Sequence, residues 1–119
     1  MESVTLERLQ SLFLRELAVI VNKDRKIKGQ MYFNITEVKI TKDLSFATVY
    51  YTILSDKEED LDIAKNTLNQ YNKQIRQELS QKIRNIRKMP ELKFKYDEAL
   101  AYGNKIDKII KELNTTKNE

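Results

Sequence analysis

The sequence predicts an α+β domain in which helices cover one face of a small three-stranded sheet. Three observations lead there. Apolar residues near the N-terminus recur at three- and four-residue steps, and the same spacing returns from Leu61 to Ile86. Between these stretches lie two adjoining segments rich in β-branched and aromatic residues, MYFNITEVKI and FATVYYTI. A third alternating segment, ELKFKYD, follows Pro90.

Leu6, Leu9, Phe13, Leu17 and Ile20 make one apolar stripe, which predicts a helix from about Val4 to Val21. Charges run through this stretch, so it reads as a helix of the domain and not as a signal peptide. NKDRKIKGQ breaks the stripe, with Gly29 as turn residue. In the first strand the alternation slips phase, because Phe33 and Ile35 share a face that Val38 and Ile40 would miss. A β-bulge near Thr36–Glu37 restores all four to one side. TKDLS then turns the chain into a second strand, where Ala47, Val49, Tyr51 and Ile53 alternate with Phe46, Thr48, Tyr50 and Thr52. So close a connection predicts an antiparallel hairpin.

SDKEED opens the next helix, with Ser55 and Glu58 at capping-box spacing and acids in the first turn, where the helix dipole favours them. That structural role accounts for the acidic cluster without a metal. Leu61, Ala64, Leu68, Tyr71, Ile75, Leu79, Ile83 and Ile86 carry one stripe up to Pro90. So long a helix predicts a bend near Tyr71–Lys73, and Pro90 ends it. Leu92, Phe94 and Tyr96 then alternate with Lys93 and Lys95 in a third strand. NKIDKIIKEL closes the domain as a helix. The order is α-β-β-α-(bend)-α-β-α, residues 1–114 form one domain, and the tail 115–119 has nothing to bury and is expected to be disordered.

Composition excludes several chemistries. The chain of 119 residues has no cysteine and no histidine, which removes disulfides, thiolate or imidazole zinc sites and every catalytic arrangement built on them. No apolar run reaches the length of a membrane span. A cytoplasmic protein without cofactor or metal is the expectation. The net charge of +4 is unevenly spread. Residues 72–95 hold eight Lys and Arg against two acids, whereas residues 1–71 hold ten against eleven and residues 96–119 four against five. One sign concentrated in one segment points to a polyanion.

On a helical wheel with Lys73 at zero, Arg76, Arg84, Arg87 and Lys88 fall within about 60° of it on either side. Ile75, Leu79, Ile83 and Ile86 form the neighbouring buried seam. Gln77 and Ser80 lie within the cationic arc, and no acid does. Ordinary solvated helices mix signs and pair them at i,i+4, and arginine forks match phosphate in a way lysine cannot. The predicted phosphate-gripping residues of a nucleic-acid interface are therefore Arg76, Arg84, Arg87 and Lys88, with Lys73 and Lys82 at the edges of the face. Lys93 and Lys95 extend the track along the sheet, and Lys42 adds a cation in the hairpin turn. Tyr32, Phe33, Phe46, Tyr50 and Tyr51 divide between core packing and surfaces that can stack on bases.

With these segments in place, the chain resembles the bacterial ribosome-binding factor A family over about residues 4–113. The resemblance rests on VKITKDLSFATVYYTIL, IRQEL, RKMPELKFKYDEAL and YGNKIDKII. It implies a KH-like domain of type-II topology that binds the small (30S) ribosomal subunit late in its maturation. Such a factor assists 16S rRNA processing and folding without being an enzyme. Its partners would be the subunit, its rRNA and ribosomal proteins near the site, with no membrane and a monomeric chain. The family lacks the Gly-x-x-Gly clamp of ordinary KH domains, and the only glycines here are Gly29 and Gly103. Two departures stand out. Tyr71, Asn72 and Lys73 occupy the positions where the family bends its helix at Ala-x-Gly, and IRNIRKMPEL is one residue longer than usual before Pro-Glu-Leu.

Two other functions fit the residues less well. A protein-interaction adaptor would meet an acidic partner with the basic face. A hydrolase would use Asp97, Glu98 and Asp107, but Asp43 and Asp97 sit beside turns, where aspartate caps backbone N–H groups, and no phosphate-cradling glycine loop is present.

Overall fold

Thr5 opens the first helix, its Oγ1 accepting from the Arg8 N–H at 3.2 Å. The computed structural model describes residues 5–29, 31–83 and 86–103, without the Lys28 side chain. Helix α1 (Leu6–Lys23) buries Leu9, Phe13, Leu17, Ile20 and Val21, the face its spacing predicted. Asp24 ends it and caps a short helix, α2 (Arg25–Lys28), in a stretch where the sequence predicts only a break. Gly29 then turns the chain with φ +58°, a conformation that favours glycine.

Strands β1 (Phe33–Ile40) and β2 (Phe46–Ile53) pair antiparallel, with the register shift between Ile35 and Glu37 that the slipped alternation required. The bulge puts Phe33, Ile35, Val38 and Ile40 all in the core. Thr36, inside the bulge, donates through Oγ1 to Asp97 Oδ2 at 2.5 Å, which ties it to the far end of the sheet. Strand β3 (Glu91–Tyr96) pairs parallel to β2, so β2 is central. The inner face carries an aromatic row in which Tyr51 meets Phe33 and Tyr96 edge to face, centroids 6.1 and 5.9 Å apart. Burial raises the phenol pKa of both tyrosines.

Helix α1 also covers the free edge of β1. The Asn22 side chain accepts from Phe33 N at 2.9 Å and donates to Phe33 O at 2.8 Å, while Gln10 Oε1 accepts from Ile40 N at 2.9 Å. Backbone groups at both ends of the strand thus find side-chain partners on a helix, which protects that edge against edge-to-edge pairing.

Helices α3 (Glu58–Gln70) and α4 (Asn72–Lys82) meet at Tyr71, where the bend was expected. Asn72 does not bend the chain by adopting a left-handed backbone. Leu44, in the hairpin turn, is the non-glycine residue with positive φ among the described residues. Asn72 instead donates its side-chain amide to Leu92 O at 2.9 Å, pinning the bend to β3. The expected capping box is also displaced. Lys57 is the N-cap of α3, and the Ser55 hydroxyl pairs with Asp60 at 2.5 Å and not with Glu58.

The larger correction concerns the end of α4. The stripe predicted helix as far as Pro90, but α4 stops at Lys82, with Ile83 extended (φ −109°, ψ 107°). The reason is spatial. Arg76 donates through Nε to Pro90 O at 3.0 Å and through Nη2 to Met89 O at 2.6 Å. A continuous helix would carry Met89 about 20 Å along the axis from Arg76, out of that reach. The chain doubles back along α4 instead, so that Glu91 N can donate to Ser45 O at 3.0 Å and start the parallel strand. Ile83 is still buried and Ile86 packs against the core. The apolar spacing is thus satisfied without a continuous helix.

Beyond β3, Asp97 Oδ1 accepts from Leu100 N at 3.0 Å and opens a helical stretch over 98–103. The sequence predicts no helix over residues 98–103. NKIDKIIKEL and the tail 115–119 lie outside the described residues.

Candidate nucleic-acid interface

The hairpin turn and the segment 86–90 build one end of the site. Thr41 and Asp43 knot the turn: Thr41 Oγ1 donates to Asp43 Oδ1 at 2.8 Å, and Ser45 N reaches Asp43 Oδ1 at 3.1 Å. Thr41 N also bonds Phe46 O at 2.9 Å, closing the loop. These contacts hold Leu44 at φ 61° and leave Lys42 exposed at the tip. Hydrogen bonds from Thr41 and Ser45 lower the Asp43 pKa to about 2, helped by the positive charge of Lys88. Glu91 N, three residues beyond Lys88, bonds Ser45 O at 3.0 Å, which brings the end of the connector to the turn. Arg87 and Lys88 are both exposed in the connector, whose return toward β3 is held by Arg76.

The sheet continues the site. Residues facing away from the helices form rows across the strands: Phe46 beside Glu91, then Lys39, Thr48 and Lys93, then Glu37, Tyr50 and Lys95. Lys93 Nζ sits 4.3 Å from the Phe46 ring centroid, and Lys39 Nζ 5.9 Å from that of Tyr50. Lys93 and Lys95 are exposed, as the alternation of β3 predicted.

The predicted cationic helix face does not exist as drawn. Arg87 and Lys88 lie beyond the helix and reach the site through the connector. Arg84 falls outside the described residues. Arg76 lies on α4, but two of its guanidinium nitrogens are committed to backbone carbonyls, so it positions the connector. Lys73 and Lys82 are both exposed, yet they stand nine positions apart along the helix, which places them on opposite sides of α4. What the structure brings together is Lys42, Lys88 and the neighbouring Arg87 at one end, adjoining Lys93 and Lys95 on the sheet. Lys39 was missed. The slipped alternation, which sends Val38 and Ile40 inward, already pointed it outward beside the second strand.

The family model described as ribosome-binding factor A matches residues 5–110. The chain belongs to the ribosome-binding factor A family. It is 49% identical over 111 residues to ribosome-binding factor A of Phytoplasma mali, covering 93% of this chain and 97% of that one. The crystal structure of ribosome-binding factor A from Thermus thermophilus superposes with a TM-score of 0.65 at 22% identity, covering 77% of this chain and 94% of that one. A homology model of the Thermus thermophilus factor, fitted into the cryo-EM map of a 30S–RbfA complex, gives 0.61 at 21% identity, covering 76% and 93%. The fold is thus that of ribosome-binding factor A, a KH-like α+β domain. The segments that carried the resemblance have identifiable work. Asp43 of the DLS turn organises the hairpin, Pro90 of MPEL is fully buried where the connector meets β3, and Asp97 caps the helical stretch that follows.

Proposed function

We propose that this chain binds the small ribosomal subunit through 16S rRNA phosphates and assists late folding and processing of that rRNA without catalysing a reaction. One observation carries the proposal. The parallel pairing of β3 with β2 draws Arg87 and Lys88 toward Lys42, and Lys93 and Lys95 continue the positive charge along the sheet. Membership of the family, and the 30S complex of the Thermus thermophilus factor, support the same partner.

Lys42, Arg87, Lys88, Lys93 and Lys95 contact phosphates, and Lys73 and Lys82 add charge from the two sides of α4. Arg76 serves as a positioning residue. Phosphate contacts fix register more than sequence, so the shape of folded rRNA supplies selectivity. The factor works as a monomer in the cytoplasm, over a domain of residues 1–114.

The test is co-sedimentation with small subunits purified from cells that lack the protein. Arg87→Glu/Lys88→Glu should lose association, while its far-UV circular dichroism and unfolding midpoint stay those of the parent. Undiminished association would overturn the assignment and favour an adaptor that meets an acidic protein partner.

A further inference from the structure

The outer face of the sheet carries aromatic side chains that the core does not use. Inner-face Tyr51 is enclosed by Phe33 and Tyr96. Phe46 and Tyr50 point the other way. Phe46 is 38% exposed, and each ring is accompanied by a lysine from a neighbouring strand, Lys93 for Phe46 and Lys39 for Tyr50. The helices α1, α3 and α4 bury their apolar residues against the opposite face. We propose that this outer face is a stacking platform for unpaired nucleotides of an RNA strand, with bases on Phe46 and Tyr50 and phosphates on Lys39 and Lys93. The proposal rests on the RNA-binding reading above and names the kind of RNA that the sheet takes.

The arrangement of charge favours a nucleic acid strand. Phe46 and Tyr50 are four residues apart on β2, about 14 Å along the strand. That span suits an oligonucleotide and not a single nucleotide. The row between them holds Lys39, Thr48 and Lys93: two cations, a hydroxyl and no acid. The two carboxylates of this face, Glu37 and Glu91, stand level with Tyr50 and Phe46, outside the central row. A backbone laid over the central row meets only positive and neutral groups, and the bases on either side find a ring. Any base presents a π-face, so such stacking tolerates sequence. The platform ends toward Asn34, where Asn34 Nδ2 bonds Thr52 Oγ1 at 3.3 Å and Thr52 is buried. Ala101 and Tyr102 border the cleft at that end.

The experiment titrates the full chain into a short labelled oligouridylate and into an RNA duplex of equal length. Phe46→Leu/Tyr50→Leu should bind the single strand about tenfold or more weakly, with unchanged duplex affinity and an unchanged salt slope, because the cations remain. Tyr50→Phe, which keeps the ring, should retain parental affinity. Equal single-strand affinity in the double variant overturns the platform. So does failure of the parent to bind the oligouridylate while it still co-sediments with small subunits, an outcome that leaves the broader function standing. Failure of the parent to bind the subunit removes both. Should the double variant not fold, a thiouridine-bearing oligonucleotide cross-linked to the parent decides. Adducts at Phe46 or Tyr50 support the platform, and adducts confined to other strands or to the helices overturn it.

Discussion

Helix α4 and the connector 86–90 that follows it differ in what fixes them. In α4 the apolar spacing determines the structure: Ile75 and Leu79 are fully buried, and their side of the helix faces the core. In the connector the same spacing continues through Ile86, yet the backbone is not helical. There, one arginine and a parallel strand set the path, since Arg76 holds Met89 O and Pro90 O and Glu91 N reaches Ser45 O. Periodicity reports which side chains turn inward. It does not report whether the chain between them advances or doubles back. The lesson matters for function because Arg87 and Lys88 sit on the part that doubles back.

The largest effect should come from the seam. Leu79→Ala, measured by urea unfolding, should cost about 2–5 kcal/mol. Ile86→Ala, at a half-buried site of the connector, should cost distinctly less, and equal costs would erase the contrast. Next comes the clamp. Arg76→Ala should lower stability by about 1.5–3 kcal/mol, in the range for hydrogen bonds made by a charged group. Arg76→Lys should recover only part of that, because a single ammonium cannot reproduce the planar fork. Hydrogen exchange at residues 86–90 should quicken in both variants. Unchanged exchange would mean that something other than Arg76 holds the connector.

Smaller still, Arg87→Ala/Lys88→Ala should leave stability within about 0.5 kcal/mol of the parent. These side chains are exposed, and the proposed role assigns them to the partner and not to the fold. A large loss would make them structural. The smallest effect concerns acid. The Asp43 pKa is lowered from 3.8 to about 2 in the folded chain. Its stabilising contribution is therefore present above about pH 4 and lost as pH falls toward 2. Asp43→Asn should flatten that part of the curve of unfolding midpoint against pH, and a curve parallel to the parent's would show that the turn does not depend on the carboxylate.

Much of the fold was legible in the sequence because binary pattern and period decided it. The bulge followed from Phe33, Ile35, Val38 and Ile40 having to share one face, and the bend at Tyr71 from a stripe too long for one straight helix. Neither inference required a long-range contact. The end of α4 did, since it depends on Arg76 meeting carbonyls 13 and 14 residues away. Local spacing holds no trace of that contact. The short helix α2 and the pairing of Ser55 with Asp60 were hidden for a related reason, because polar side chains choose among several close partners. The candidate site was legible as charge and misread as geometry. The excess of cations over residues 72–95 is read directly from the sequence, but they converge through β3 pairing with β2 and not along a helix. Lys39 was overlooked because it lies outside the segment where the charge is concentrated.

The central claim is that cations gathered where the connector meets the hairpin turn dock the chain on folded rRNA. The most direct test is the affinity for purified small subunits as a function of salt, for the parent and for Arg87→Ala/Lys88→Ala. The parent should lose about a thousandfold or more between about 50 and 200 mM salt if some six phosphates are contacted, and the variant's log–log slope should be shallower by about two. A flat response in the parent, or the same slope in both proteins, would contradict the account.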